Sequence, residues 1–283
     1  MPKIDLADTA DAAALRAHPI ALVPAVLVCG AAVLLFGFMA PIAGYAMIAV
    51  GLLAAWLCDR SGRTERLLAD LALIAIGLVI ISTMSLKADL SDAGMVRFAL
   101  VLGLAVAVPF LVSRFVYRER VIRFPWRTGR RWTRTQWAYL AGVTLAGWLV
   151  LPAYFIGSGV YENWPAVDGA NEIGRLAVGV TAVGTWDELF FICTVFALLL
   201  RHFPAWQANL LQATVFVSFL WELGYQSWGP LLTIPFALVQ GYTFKLTKSL
   251  TYVLVVHLLF DLVVFLVLVY AHTGAPAIFP FVP

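Results

Sequence analysis

Long apolar runs alternate with short polar breaks along the whole of this chain, and the runs recur at close to the length of a bilayer crossing. A helix rising about 1.5 Å per residue needs about 20 apolar residues to cross a hydrocarbon core about 30 Å thick. Nine runs approach that length, at about 19–39, 41–58, 68–85, 95–116, 137–157, 173–201, 206–225, 229–247 and 249–271. The second and eighth are the shortest. Within lipid a helix satisfies its own backbone polar groups, so the expected fold is all-α, a polytopic transmembrane helix bundle of about nine spans.

The breaks carry charge in an ordered way. Arg60, Arg63 and Arg66 lie in the connection 59–67. Arg118, Arg120, Arg123, Arg127, Arg130, Arg131 and Arg134 lie in 117–136, just after Arg114, while Arg201, Lys245 and Lys248 mark two later turns. The intervening connections 40–44, 86–94, 158–172 and 226–228 are neutral or acidic, with Glu162, Asp168 and Glu172 among them. Basic loops stay on the cytoplasmic side, which gives N-terminus in, C-terminus out and an odd number of spans. Residues 1–18 carry acids among Ala and Leu and lack the basic start of a signal peptide, so they are expected to be a cytoplasmic tail. The expected division is this tail, an N-terminal transmembrane module at 19–136 with the Arg-rich loop, a second transmembrane core at 137–271, and a Pro-broken interfacial tail at 272–283.

Composition supports this organisation. The 283 residues are 62% hydrophobic and 12% charged, which excludes a large soluble domain. Ten Trp and nine Tyr supply interfacial belts. Cys29, Cys58 and Cys193 fall in apolar runs without close pairing and read as small core residues, not as a disulfide or zinc framework. Trp126 and Trp132 stand within the Arg-rich loop, where topology and anionic headgroups account for the charge without a nucleic-acid partner.

Topology leaves five polar residues unexplained. Asp187 and Glu188 sit in the sixth run, Glu222 in the seventh, and His257 and Asp261 in the ninth. Ionisable groups at that depth are costly and persist where they face a cavity, pair, or act on a substrate. Neighbours on an α-helix point about 100° apart, so Asp187 and Glu188 are not expected to face one small site together. Glu188, with Gly184 one turn before it and Ile192 one turn after, is the candidate proton acceptor. Ser218, Glu222 and Gln226 recur every four residues as a polar stripe flanked by Trp221 and Tyr225. His257 and Asp261 share one face, where a carboxylate can fix the imidazole tautomer. Counted along the helices, Glu188 is near mid-span, His257 slightly inward, and Asp261 and Glu222 further outward. The candidate catalytic residues are therefore Glu188, His257, Asp261, Glu222 and Asp187, brought together if the sixth, seventh and ninth spans pack against one another. His18, His202 and His272, at or beyond helix ends, are given no role.

In order and spacing these residues resemble the CAAX-protease and bacteriocin-processing family of intramembrane glutamic endopeptidases. That family carries a Glu-Glu pair followed by Arg, then Phe-x-x-x-His, then His-x-x-x-Asn or Asp. The likeness covers about residues 180–270, where TWDELFFICTVFALLLRHFPAW resembles the first motif and KSLTYVLVVHLLFD the third. Asp187 stands for the first Glu and Glu188 for the second, while Ile192 occupies the Arg position. Ser218 to Glu222 spans the second motif with Glu222 in place of His, and His257 and Asp261 match the third. The resemblance makes 137–271 a protease-like core. It implies Glu188 as general base, His257 binding the carbonyl oxygen or positioning water, Asp261 beside it, and Glu222 as a second carboxyl sharing a proton with Glu188. It implies no cofactor and, as partners, a membrane-associated protein or peptide substrate and the lipid bilayer. The expected location is integral and multi-pass, in a bacterial inner membrane, with a role in protein processing or sorting. Other readings stand beside it. Ile192 and Glu222 fit a non-catalytic member such as an immunity or scaffold protein. The buried ionisable groups fit a proton-coupled transporter, although paired broken helices and half-to-half symmetry are missing from the pattern. The same Glu, Glu, His and Asp residues fit a zinc or manganese site, although His-Glu-x-x-His spacing is absent.

Overall fold

Most of the helices begin where the chain supplies a proline or a side-chain cap. In the computed structural model, which describes residues 19–126, 131–274 and 279, nine helices account for the architecture and no strand occurs among the described residues. They are α1 (Pro19–Gly37), α2 (Pro41–Arg60), α3 (Leu67–Ile81), α4 (Asp92–Val116), α5 (Arg134–Gly157), α6 (Ala170–Leu199), α7 (Ala205–Leu223), α8 (Pro230–Thr247) and α9 (Leu250–Thr273). Pro41 and Pro230 open α2 and α8, where the missing N–H has no helical partner to lose. Thr133 and Gln136 form a reciprocal capping box on α5, and Ser249 caps α9 through the Tyr252 N–H. The turn after α7 passes through Gly224 at φ 133°, against the face of Trp164, where a Cβ has no room.

Each helix falls within a few residues of an expected apolar run, and the chain is an integral membrane protein. Six of the nine are long and apolar enough to cross a bilayer on length and composition alone: α1, α2, α4, α5, α6 and α9. The others depart for visible reasons. Helix α3 is apolar but has only 15 residues. Helices α7 and α8 carry inward-facing amides: Gln212 donates to the Ala237 carbonyl at 3.0 Å and Asn209 to the Leu238 carbonyl at 2.7 Å. Such bonds join helices in an environment where apolar contact alone discriminates poorly.

Helix α6 is the centre of the bundle, packed against α3, α4, α7, α8 and α9. Its apolar stretch is 72% buried, whereas that of α4 is 17% buried and faces outward. Trp186 of α6 donates its indole N–H to the Leu102 carbonyl of α4 at 2.6 Å and stacks on Phe190. The largest apolar core runs from Ala21 to Ala237 and joins α1–α4 to α6–α8, across the sequence division at 136. A second core unites α5 and α9 around Tyr154, Phe155 and Val267.

An ionic network, invisible in the sequence pattern, ties the α6–α7 turn to the N-terminal helices. Arg201 contacts Asp70 at 3.0 Å and Glu119 at 2.7 Å, Arg66 contacts Glu119 at 2.9 Å, and His202 Nε2 lies 2.6 Å from Asp70. His202 therefore has a packing partner, the buried Asp70, remote from the candidate site residues in sequence. Two positive charges next to the opposite connections are paired: Arg97 with Asp89 at 3.3 Å and Arg175 with Asp92 at 2.6 Å. Hydrogen bonds from the Ser91 backbone and hydroxyl hold Asp89 below the usual carboxylate range, which keeps it charged. The N-terminal tail 1–18, Arg127 and Arg130 of the basic loop, and most of the C-terminal tail lie outside the described residues.

Candidate active site

Helix α6 is α-helical up to Asp187 and then widens into π-helix from Glu188 to Phe196. Thr194 supports the widened turn by donating its hydroxyl to the Leu189 carbonyl at 2.9 Å. Such i→i+5 segments are rare and concentrate at functional sites. This one begins on the residue singled out by depth in the sequence.

Asp187 and Glu188 reach the same side chain, His257 of α9, from two sides. Glu188 Oε1 lies 2.8 Å from His257 Nδ1, and Asp187 Oδ2 lies 3.6 Å from Nε2. Asp261, one turn along α9, places Oδ1 3.9 Å from the same Nε2. The neighbouring acids do not face one point together, yet both reach this one ring. They need not converge on a point, because an imidazole offers nitrogens on two edges. Phe236 packs edge-on against the ring with centroids 5.0 Å apart.

The two edges of His257 face different surroundings. A cavity of about 430 Å³ is lined by Asp187, His257 and Asp261, together with Tyr225, Thr233 and mostly apolar side chains of α4, α6, α8 and α9. Glu188 does not line it; it lies behind the ring, 1% exposed. The cavity extends from these residues to Ala88, Asp89 and Leu90, in the connection between α3 and α4. Buried oxygens without a hydrogen-bond partner cluster here: Asp187 Oδ1, Asp261 Oδ2 and Thr233 Oγ1 at the cavity, with Glu188 Oε2 behind. Unpaired polar atoms in a buried site mark a place built for water or a polar ligand. Gly184 makes the geometry possible, since a Cβ there would overlap the Asp261 carboxylate. Among the described residues, no three His, Cys, Asp or Glu side chains are placed to hold a metal ion together.

A family model described as Type II CAAX prenyl endopeptidase Rce1-like matches residues 169–263, from the start of α6 to just past Asp261. That stretch supports membership of the CAAX-protease family. No curated protein and no solved structure matches the chain.

The residues that resemble the first and third motifs meet in space, and the one at the second does not join them. Glu222 of α7 accepts the Leu86 N–H at 3.1 Å, beside Lys87, and is absent from the cavity lining. It fastens the α3–α4 connection rather than facing Glu188. The expected polar stripe does not form one face: Gln226 lies beyond the end of α7, Ser218 donates to the Thr214 carbonyl of its own helix, and only Glu222 meets the connection. Glu222→Gln is accordingly expected to leave substrate processing within about threefold of the unaltered protein. Faster hydrogen exchange at Leu86 should accompany it. Ile192, at the Arg position, is buried among apolar groups and carries no charge to the site. The donor that reaches Glu188 comes instead from α8: Gln240 Nε2 lies 2.7 Å from Glu188 Oε1. Sequence reasoning missed Gln240. A polar side chain in the middle of the eighth apolar run, next to Gly241, was the available signal.

Proposed function

We propose that this chain is an intramembrane endopeptidase of the CAAX-protease type that hydrolyses a peptide bond of a membrane-associated protein. In this proposal His257 takes the proton from water and Glu188 acts through it, in place of the direct base that the resemblance implied for Glu188, because Glu188 does not line the cavity and His257 does. The observation that carries the reading is the imidazole itself, held at Nδ1 by Glu188 and turned with Nε2 towards a cavity between two carboxylates. Separations of 3.6 and 3.9 Å exceed a direct hydrogen bond and suit a bridging water. The water oxygen attacks the substrate carbonyl carbon as its proton passes to Nε2. The imidazolium then gives that proton to the leaving nitrogen as the C–N bond breaks, so the products are an amine and a carboxylic acid, which loses its remaining proton to water. Glu188 balances the transient charge on the ring, and a positioned base of this kind contributes about 10²- to 10⁴-fold.

The substrate class follows from the walls. Phe98, Leu102, Leu176, Val183 and Phe236 favour an apolar segment. Gly103 and Val178, both exposed, border the same cavity, so a segment can approach sideways from lipid between α4 and α6. With the basic loops inside, the Asp89 end of the cavity faces the extracytoplasmic side of a bacterial inner membrane, which suits protein processing or sorting. The test compares the termini of membrane proteins, by mass spectrometry, with and without this chain. A protein that remains uncut in its absence should be cut again when wild-type protein is restored and stay uncut with His257→Ala. Restoration by His257→Ala would replace catalysis with a scaffold role.

A further inference from the structure

We infer that Gln240 is a positioning residue: by donating to Glu188 it keeps that group a carboxylate and holds His257 as the Nδ1–H tautomer, leaving Nε2 free to accept a proton. The inference rests on the reading of His257 as the base, but concerns a residue outside the motifs.

Gln240 is 1% exposed and, like Glu188, does not line the cavity. Its amide nitrogen lies 3.1 Å from the main-chain carbonyl of Val253 and 2.7 Å from Glu188 Oε1. A carbonyl only accepts, so the atom beside Val253 must be the NH₂ nitrogen, which fixes the amide's orientation. Its two hydrogens then serve one acceptor each. Glu188 Oε1 is thus approached by Gln240 and by His257 Nδ1, at 2.7 and 2.8 Å.

With a neutral ring, two proton arrangements fit those distances. In the first, Oε1 is a carboxylate oxygen accepting from both neighbours, Nδ1 carries the ring proton and Nε2 has its lone pair in the cavity. In the second, one further proton has been taken up from water. Glu188 is then an acid whose O–H donates to Nδ1, and Nε2 carries the ring hydrogen. An ionised oxygen accepts two hydrogen bonds readily, whereas the hydroxyl oxygen of an acid is a weaker acceptor. The Gln240 hydrogen bond therefore favours the first arrangement, in which the cavity edge of the ring is basic. The other ionisable groups about the pair are Asp187 and Cys193 on α6 and Asp261 on α9. None of them supplies a hydrogen-bond donor to Glu188 Oε1.

The test is nitrogen-15 NMR of histidine-labelled protein in lipid nanodiscs near neutral pH, with the His257 ring assigned by a His257→Gln difference spectrum. Wild type should show Nδ1 protonated and Nε2 unprotonated. Gln240→Met, similar in shape but without the donor, should reverse the two, and processing should fall at least about tenfold. Gln240→Thr, a smaller replacement, carries the same expectation if the Met variant does not fold. A wild-type ring protonated at Nε2, alone or together with Nδ1, overturns the inference without any variant. So does an Nδ1–H signal that survives removal of the amide. The ring spectrum needs no substrate. A protein that cuts nothing yet shows the expected reversal would refute the peptidase reading and leave the hold of Gln240 on Glu188 in place.

Discussion

Glu188→Gln is expected to lower substrate cleavage by about a thousandfold or more while the protein accumulates in the membrane at its usual level. The substitution keeps the size of the side chain and removes its charge. A neutral amide beside Nδ1 can donate as well as accept, so the ring loses the single tautomer that leaves Nε2 basic. The imidazolium formed when water gives up its proton also loses its counter-charge, in a site where little solvent replaces it. Folding should be spared, because Gln fills the same buried volume and still offers Gln240 an oxygen at the position of Oε1. The measurement is the ratio of cut to uncut substrate at matched protein levels. Activity within tenfold of wild type would remove Glu188 from the mechanism.

Gly184→Ala is expected to reduce cleavage by about a hundredfold, from a single methyl group that touches no reacting atom. The added Cβ would overlap Asp261 Oδ2 and approach His257 Cδ2 to 3.5 Å, so the carboxylate must leave its place or α6 and α9 must part. Misplacing a catalytic constellation by about 1 Å is enough for a loss of that size. Overpacking adds about 1–3 kcal/mol of destabilisation, measurable as a lowered midpoint of thermal unfolding in detergent. Gly174→Ala is the control on the same helix. Nothing lies within 4 Å of a Cβ there, so activity should be kept and stability should rise slightly, as Ala is the better helix former. Equal effects at the two glycines would mean that close approach of α6 to α9 is unimportant.

The sequence disclosed the helices because the cost of exposing backbone in lipid forces long apolar runs, and turn residues such as Pro41, Pro230 and Gly274 punctuate them. It disclosed less about α7 and α8, whose amides dilute hydropathy while serving the bundle from inside. In the candidate site, depth and the four-residue interval were enough to anticipate that Glu188, His257 and Asp261 lie together. Spacing on one helix tells which residues share a face but not which neighbour the face meets. Glu222 was therefore joined to the cluster in error, whereas its carboxylate holds the Leu86 N–H. The widening of α6 at Glu188 has no periodic signature. Gln240 was overlooked because a neutral amide inside an apolar run is less conspicuous than a carboxylate, although its partners are equally buried. The join between Asp70 and Arg201, 131 residues apart, likewise belongs to tertiary structure.

The most direct test of the central claim uses oxygen-18 water. The purified protein in nanodiscs is given the membrane protein whose processing depends on it, and the fragments are weighed. Hydrolysis at this cavity should place one heavy oxygen in the new C-terminal carboxylate with wild type and yield no fragment with Glu188→Gln. Fragments without the label, or labelled fragments formed equally well by the Glu188→Gln variant, would contradict it.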